Sequence, residues 1–134
     1  MKFSLIICTY QRPKPLLQVL QAVQEQTLYP DEILIIDGST NEATQFILEQ
    51  NNFQNVHYFL VPKEHRGVTK QRNFGIARVS KDNDVVCFLD DDTVLSADYF
   101  EQLLSTYQKY PDALGVGGYI HNETKWEFIG TIYK

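Results

Sequence analysis

Short apolar runs and amphipathic segments alternate along this chain. Uninterrupted apolar runs that are rich in Val, Ile and Phe are typical of strands buried on both faces of a sheet. This pattern predicts strands over residues 3–8, 32–37, 56–61, 84–90 and 114–120, with 126–133 as a further candidate.

The segments between these runs carry apolar residues three or four positions apart, which is the spacing of one buried helix face. Pro15 suits a first helical position, and Ser39 with Glu42 has the spacing of a capping box for the second helix. The predicted helices are 15–26, a second one ending near Gln50, 68–79, and 97–110 with Ser96 as its cap. We expect their inward residues to be Leu16, Leu17, Leu20 and Val23 in the first, Ala43, Phe46 and Ile47 in the second, and Phe100, Leu103 and Leu104 in the fourth.

Alternating strands and helices predict an α/β fold, with a mostly parallel, Rossmann-like sheet covered by helices on both faces. Right-handed crossovers leave few topologies, and we expect the strand order 3-2-1-4 plus a later strand. The switch point of that order lies between strands one and four, where open α/β sheets bind their ligands. Polar residues that follow strands one, two and four should therefore meet in one crevice.

Length and composition indicate a single domain over residues 1–134. The net charge of −5 does not favour a nucleic-acid-binding surface. No apolar run approaches the ~20 residues of a membrane span, and MKFSLIICTY lacks the cleavage site of a signal peptide. We expect a cytoplasmic protein, either free or held peripherally at the inner face of the membrane. Cys8 and Cys87 fall on neighbouring predicted strands, so we expect them to lie close together and to be reduced.

Three carboxylates, those of Asp90, Asp91 and Asp92, end the apolar run of strand four. Like charges so close repel each other, and burying them unpaired is costly, so none of the three should belong to the core. Side chains two positions apart in an extended segment point the same way, so Asp90 and Asp92 can converge on a divalent cation. The alternative is an acidic turn that water solvates at the end of a strand.

Asp37 and Arg72 are further candidates for a site at this edge. Asp37 could accept a hydrogen bond from a base N–H or a ribose hydroxyl of a nucleotide, or it could be a turn residue that bonds its own backbone. Arg72 could bind a phosphate or a carboxylate in bidentate fashion, or be a solvated helix charge. The basic residues expected around it, opposite the acids, are Arg12, His65, Arg66 and Lys70.

Glycine-rich phosphate loops are missing after the first strand, since neither G-x-G-x-x-G nor G-x-x-x-x-G-K-[ST] occurs there. The phosphates of a bound nucleotide would then be held by a metal ion and by Arg or Lys. The sequence supports no Ser-His-Asp or Cys-His arrangement and no metal-binding spacing of Cys and His.

Four motifs in order, I-I-C-T-Y-Q-R-P, I-I-D-G-S-T, G-V-T-K-Q-R-N-F-G and C-F-L-D-D-D-T, resemble the family 2 glycosyltransferases of GT-A fold. The likeness spans Phe3 to about Ile120. It implies a part that binds a nucleotide-diphosphate sugar with Mg²⁺ or Mn²⁺ as cofactor, and an acceptor that is a glycan, lipid or protein.

The same resemblance implies roles for individual residues. It puts Thr9, Tyr10 and Arg12 in the donor-binding first loop, Asp37 at the base and Arg72 near the diphosphate. The acid triplet matches the D-x-D motif. In that motif Asp92, with Asp90, would bind the metal, while Asp90 and Asp91 would lie beside the ribose and sugar.

This chain also departs from the family pattern. Gln11 stands where Asn is frequent, and Ile36 where a second acid is frequent. Family members continue into an acceptor-binding half that carries the general base of inverting members, so we expect residues 1–134 to lack that half. The late acids, Glu123 and Glu127, match no base motif and are expected to be solvated. A non-catalytic module or truncated domain that only binds nucleotide sugar is the alternative.

The run V-V-C-F-L-D-D-D-T-V also fits the strand and D-x-D pattern of haloacid-dehalogenase-like phosphatases, in which the first Asp is a nucleophile. Those enzymes place this strand near the start of the domain and need a later Lys and a later pair of acids. Here Lys109, Lys125 and Lys134 follow, but no adjacent acids do. We therefore rank this alternative below the transferase.

Overall fold

The computed structural model describes residues 1–118. Within this range the strands are β1 (Phe3–Thr9), β2 (Glu32–Asp37), β3 (Val56–Leu60) and β4 (Val85–Asp90). The helices are α1 (Pro13–Gln24), α2 (Ala43–Gln50), α3 (Val68–Ile76) and α4 (Tyr99–Lys109), with a 3₁₀ turn at Lys63–His65. The predicted alternation of strands and helices is confirmed.

The four strands form one sheet in the order β3-β2-β1-β4, and every pair in it is parallel. The predicted α/β fold and strand order are thus confirmed. The order reverses between β1 and β4, which places the switch point where Thr9 and Asp90 end their strands. Loops that follow these strands can therefore form a shared crevice.

One face of the sheet carries the larger layer of the core. Phe3 of β1 packs there against Phe100 of α4, with their ring centroids 5.1 Å apart. The predicted inward residues of α4 are confirmed, and those of α1 are confirmed except Leu17, which is half-buried. The other buried members of this layer are Leu5, Ile7, Leu16, Val19, Leu20, Val23, Ile33, Ile35, Cys87, Leu89, Leu103 and Leu104.

The opposite face of the sheet is covered by α3. Phe74 of this helix packs against a second layer that includes Ile6 and Ile36. Gly75 permits the close approach, because a Cβ at this position would lie 3.0 Å from Ile6 Cγ2. A larger residue at position 75 would push α3 away from the sheet.

The start of α2 corrects the sequence prediction. The helix begins at Ala43 with Glu42 at its N-cap, and Ser39 lies outside it, so the predicted capping box is wrong. Ala43 and Phe46 are exposed and Ile47 is half-buried, whereas Thr44 is the buried residue of this helix. The short helix is therefore turned relative to its predicted inward face.

Other boundaries shift by a few residues. Helix α1 begins at Pro13 instead of Pro15, because either proline suits the first turn. Helix α3 ends at Ile76, three residues before the predicted end. Asp98 precedes the first residue of α4 in place of the predicted cap, Ser96.

Strand β4 is buried on one face only, which corrects the prediction of burial on both. Cys87 and Leu89 are buried, but Phe88 is 40% exposed. The reason is that α3 covers this face over β1 and β2, whereas β4 lies at one edge of the described sheet. Residues 114–118 carry no regular secondary structure, and 119–120 and 126–133 lie outside the described range, so the later strand stays a prediction.

The two cysteines lie on opposite faces of the sheet. Cys87 is in register with Leu5 and belongs to the larger core layer. Cys8 is in register with Asp90 and packs with the layer under α3. The strands are neighbours, as predicted, but the expectation that the two thiols are close is wrong. Both are free thiols in the structure.

Candidate functional site

The carboxyl ends of three strands bring polar residues into one row. Thr9 of β1 is in register with Asp37 of β2, and Cys8 is in register with Asp90 of β4. Asp37 and Asp90 therefore lie at the same edge of the sheet, on either side of β1. This confirms that residues far apart in sequence meet at the switch point.

Asp91 is the buried member of the acid triplet. It is 7% exposed and accepts a hydrogen bond from Thr9 Oγ1 at 2.9 Å. Its Oδ1 accepts a second one from Arg12 Nη1 at 3.1 Å. The expectation that none of the three acids belongs to the core is therefore wrong for Asp91. A hydroxyl and a guanidinium offset the cost of burying its charge.

Asp90 and Asp92 project outward on either side of Asp91. Their side chains are 75% and 57% exposed, and each faces an arginine: Arg72 Nη2 lies 3.5 Å from Asp90, and Arg12 Nη2 lies 3.6 Å from Asp92. Exposed ion pairs at such distances contribute little to stability. Both carboxylates thus keep oxygens that a cation or a ligand could reach.

Arg72 reaches the triplet from α3. Its guanidinium carbon lies 5.6 Å from the centroid of the Phe88 ring, and its side chain is 43% exposed. The exposed aromatic ring of β4 therefore supports the guanidinium beside Asp90. Arg72 is neither buried nor fully solvated, which leaves its other N–H groups available.

Asp37 is completely buried. Its Oδ1 accepts hydrogen bonds from the backbone N–H and the hydroxyl of Ser39, at 2.9 and 2.5 Å. Its Oδ2 accepts one from the Tyr58 hydroxyl at 2.5 Å. The structure thus shows the turn contact that was the alternative for Asp37. A ligand could bond this carboxylate directly only if the groups above it moved.

Tyr58 was not singled out from the sequence. Burial raises the pKa of its hydroxyl, and the hydrogen bond to Asp37 raises it further. The hydroxyl therefore stays protonated and remains a donor to the carboxylate. A local pattern could not reveal this contact, because it joins the middle of β3 to the end of β2.

Gln71 is a second residue that sequence reasoning missed. It is 4% exposed, and its Nε2 donates to the carbonyl oxygens of Thr9 and Ile36 at 3.1 and 2.9 Å. Its Oε1 accepts from the Gly67 N–H at 3.0 Å. A Cβ at Gly38 would come within 2.9 Å of this Oε1, which explains glycine there. One amide thus ties the ends of β1 and β2 to the start of α3.

The first loop, residues 10–12, leads from β1 to α1 over the site. Tyr10 is 53% exposed at the rim. Gln11 has a φ of 49°, and its backbone N–H donates to Ser39 Oγ at 2.7 Å. Arg12 then turns to the acids. The loop is therefore held at Gln11 by the turn after β2 and at Arg12 by the acids after β4.

The predicted basic patch is only partly assembled. His65 packs edge-on against the Phe74 ring, with centroids 5.4 Å apart, and Lys70 is exposed. The Cγ of Arg66 lies 3.4 Å from where a Cβ of Gly38 would be, and its Nε is buried without a partner among residues 1–118. Of the basic residues, Arg12 and Arg72 are the ones that form ion pairs with the acid triplet.

Cys8 lies next to the acids but is poorly suited to nucleophilic chemistry. Burial raises its pKa to about 11, and the lowering effect of Arg72 does not compensate. The thiol is therefore protonated at neutral pH.

Residues 4–133 match the model of the family described as glycosyl transferase family 2. The chain belongs to this family. The GT-A architecture expected from the motifs agrees with the observed strand order. The membership favours the transferase over the phosphatase alternative.

Curated relatives share this assignment. The chain is 32% identical over 123 residues to the glucosyl-dolichyl phosphate glucuronosyltransferase of Haloferax volcanii, which covers 88% of the chain and 38% of that protein. It is 30% identical over 115 residues to an Escherichia coli UDP-Gal:alpha-D-GlcNAc-diphosphoundecaprenol beta-1,3-galactosyltransferase, covering 83% and 41%. The chain thus spans less than half the length of these relatives.

Solved structures show the same fold. Staphylococcus aureus TarS 1–349 in complex with UDP-GlcNAc superposes with a TM-score of 0.70 at 21% identity, over 92% of this chain and 39% of that one. At this identity the likeness establishes the fold alone. Within residues 1–118, no helix has the length and apolar character needed to cross a membrane.

Proposed function

We propose that residues 1–134 form the donor-binding part of a metal-dependent glycosyltransferase that takes a sugar from a nucleotide-diphosphate sugar. The observation that carries this proposal is the row formed by Asp37, Thr9 and Asp90 at the switch point, with Arg12 and Arg72 beside it. Carboxylate acceptors lie at both ends of this row, and two guanidinium groups lie near one of them. This arrangement suits a ligand that has hydrogen-bond donors at one end and negative charge at the other.

The spacing of the strands supports one orientation of the donor. Asp37 on β2 and Asp90 on β4 are separated by two strand spacings, roughly 9–10 Å. This separation suits a nucleoside diphosphate that lies across the end of β1. The diphosphate would lie over the acid triplet, near Arg12 and Arg72, and the nucleoside would extend toward Asp37.

Asp90 and Asp92 fit a divalent metal ion by the chemistry of their donor atoms. Both offer exposed carboxylate oxygens, the ligands that Mg²⁺ and Mn²⁺ prefer. Among residues 1–118 no three acidic, His or Cys side chains form a ready-made cluster. Such ions are commonly held by one or two carboxylates, with phosphates and waters completing the shell. When bound, the metal would neutralise charge on the departing diphosphate.

The remaining residues receive supporting roles. Arg72 would bond a phosphate oxygen with the N–H groups that the Asp90 contact leaves free. Asp91, paired with Thr9 and Arg12, would hold the first loop, which brings Tyr10 to the rim of the donor site. Asp37 would meet the base through Oδ2, which accepts one hydrogen bond in the structure and can accept a second once the groups that enclose the carboxylate move.

The names of the two curated relatives contain a dolichyl phosphate and a diphosphoundecaprenol, which supports a glycan or lipid acceptor at a membrane surface. We propose that this surface is the cytoplasmic one. A module that binds the donor without turning it over is the second candidate.

A thermal-shift experiment with nucleoside diphosphates tests the proposal. UDP, GDP and dTDP are compared, each with Mn²⁺ and with a chelator. We expect at least one of them to raise the melting temperature with Mn²⁺ and to do so much less with the chelator. No shift with any nucleotide in either condition would contradict the proposal.

A further inference from the structure

The hydroxyl of Ser39 joins two parts of the site. It donates to Asp37 Oδ1 at 2.5 Å and accepts from the backbone N–H of Gln11 at 2.7 Å. Ser39 is 1% exposed, so water competes little with either bond. Because the hydroxyl donates its hydrogen bond to the carboxylate, its oxygen can accept a hydrogen bond from the Gln11 N–H.

Asp37 is itself held in place from the other side. The Tyr58 hydroxyl bonds Oδ2, while the Ser39 backbone N–H adds a second bond to Oδ1. The carboxylate is therefore fixed between β3 and the turn after β2. It gives the Ser39 hydroxyl a rigid anchor at the nucleoside end of the proposed donor site.

Gln11 needs such an anchor. Its φ of 49° lies in the left-handed region, which residues other than glycine rarely adopt without an external contact. The next residue, Arg12, occupies the N-cap of α1 and places its guanidinium 3.1 Å from Asp91 and 3.6 Å from Asp92. A change in the backbone of Gln11 would therefore move the guanidinium that faces the acids.

We propose that Ser39 is a positioning residue, which holds Gln11 in its left-handed conformation and thereby keeps Arg12 against the acid triplet. This inference rests on the proposed function, where Arg12 lies beside the diphosphate. It links the two ends of the donor site: Asp37 at the nucleoside end acts through Ser39 on the residues at the diphosphate end.

Hydrogen exchange of the Gln11 amide tests the positioning role without any ligand. NMR on the labelled protein compares the wild type with S39A, S39T and the control S105A, which removes a hydroxyl from an exposed position of α4. We expect exchange of the Gln11 amide to be at least about tenfold faster in S39A, because its acceptor is gone. S39T keeps a hydroxyl and should preserve slow exchange, as should S105A. Unchanged exchange in S39A, or a loss of protection in a folded S39T equal to that in S39A, would overturn the inference.

A double-mutant cycle tests whether Ser39 acts through Arg12. The Kd of the tightest-binding nucleotide among UDP, GDP and dTDP, with Mn²⁺, is measured for S39A, R12A and S39A/R12A. We expect each single variant to weaken binding about tenfold and the double variant to be within twofold of R12A, since coupled residues are not additive. Fully additive losses would overturn the inference. If Gln11 exchange depends on Ser39 but no nucleotide binds the wild type, the proposed function fails and the positioning role stands.

Discussion

Asp37 and Asp90 flank strand β1 at one edge of the sheet, in register with Thr9 and Cys8 respectively. They differ sharply in environment, since Asp37 is completely buried and the Asp90 side chain is 75% exposed. The buried acid is therefore suited to fixing geometry, whereas the exposed acid is suited to exchanging partners. We therefore expect substitutions near Asp37 to change how the nucleotide is positioned, and substitutions in the acid triplet to change metal binding.

Replacing Asp37 with Ala should weaken nucleotide binding even in the absence of metal. The variant loses a charged acceptor at the proposed nucleoside end and frees Ser39 and Tyr58 from their common partner. We expect a loss of roughly 1.5–3 kcal/mol in binding free energy. Calorimetry with a nucleoside diphosphate and chelator measures it.

Tyr58→Phe is the matched control for the buried carboxylate. It removes one donor to Asp37 but keeps the ring and the charge, so nucleotide affinity should fall less than in Asp37→Ala. Unfolding curves of both variants show whether the protein is folded at the assay temperature. An Asp37→Ala protein that is folded and binds with unchanged affinity would remove Asp37 from the site.

Replacing Asp92 with Asn should abolish the metal-dependent part of nucleotide binding. The substitution keeps the size of the side chain but removes the negative charge that a hard cation requires. Titrations of the nucleotide with Mn²⁺ and with chelator should differ strongly in the wild type and little in the variant. Asp82→Asn changes an exposed acid in the loop between α3 and β4 and should retain the metal effect. If the triplet is only a solvated acidic turn, metal has no effect in either protein.

Replacing Arg72 with Met should change the affinities for nucleotide and for metal in opposite directions. Arg72 faces Asp90 in the structure, so it competes with a cation for that carboxylate. Without the guanidinium, Mn²⁺ alone should bind more tightly, whereas the nucleoside diphosphate with Mn²⁺ should bind about tenfold more weakly. Arg78→Met removes the same charge from an arginine that stacks on Phe74, 3.3 Å from the ring centroid, and should change neither affinity. Weaker binding of Mn²⁺ alone in Arg72→Met would contradict the competition.

Cys8 and Cys87 should remain reduced and react slowly. Opposite faces of the sheet separate them, and burial raises their pKa values to about 11 and about 12. At pH 8 only about a thousandth of the Cys8 thiol is ionised, so alkylation should be slow and should accelerate as pH rises toward 11. Mass spectrometry without reductant should show both hydrogens in place. A deficit of two hydrogens would show that the fold opens enough to join the two strands.

Sugar transfer by residues 1–134 alone should be absent or very slow. The proposed donor and metal residues are present, but no convincing base or acceptor surface is identified in the sequence. Slow hydrolysis of the donor is compatible with this expectation. Acceptor-dependent turnover on the order of 1 per second or faster would point to a base among the last residues. Glu123 and Glu127, which lie outside the described range, would be the first to replace with Gln.

The sequence alone determined the order of the elements and the edge of the sheet at which the candidate residues meet. Apolar runs ending in Thr9, Asp37 and Asp90 predicted parallel strands whose carboxyl ends meet, and the structure confirms their order. This works because a strand buried in a parallel sheet needs an apolar run, and because handedness allows few connections between such strands. The four motifs that predicted the family lie at the ends of β1, β2 and β4 and along α3.

Only the tertiary structure decided how the charges are partnered. Asp91 is buried because Thr9 and Arg12 reach it, and Asp37 is enclosed by Ser39 and Tyr58. Local spacing suggested a helix cap for Ser39, but the register of the strands gave its hydroxyl another partner. Hydrogen bonds between residues tens of positions apart depend on register and on the packing of neighbouring elements, neither of which leaves a periodic signal in the sequence. The sequence thus encodes the edge where the candidate site lies, while packing fixes which of the acids there stay accessible.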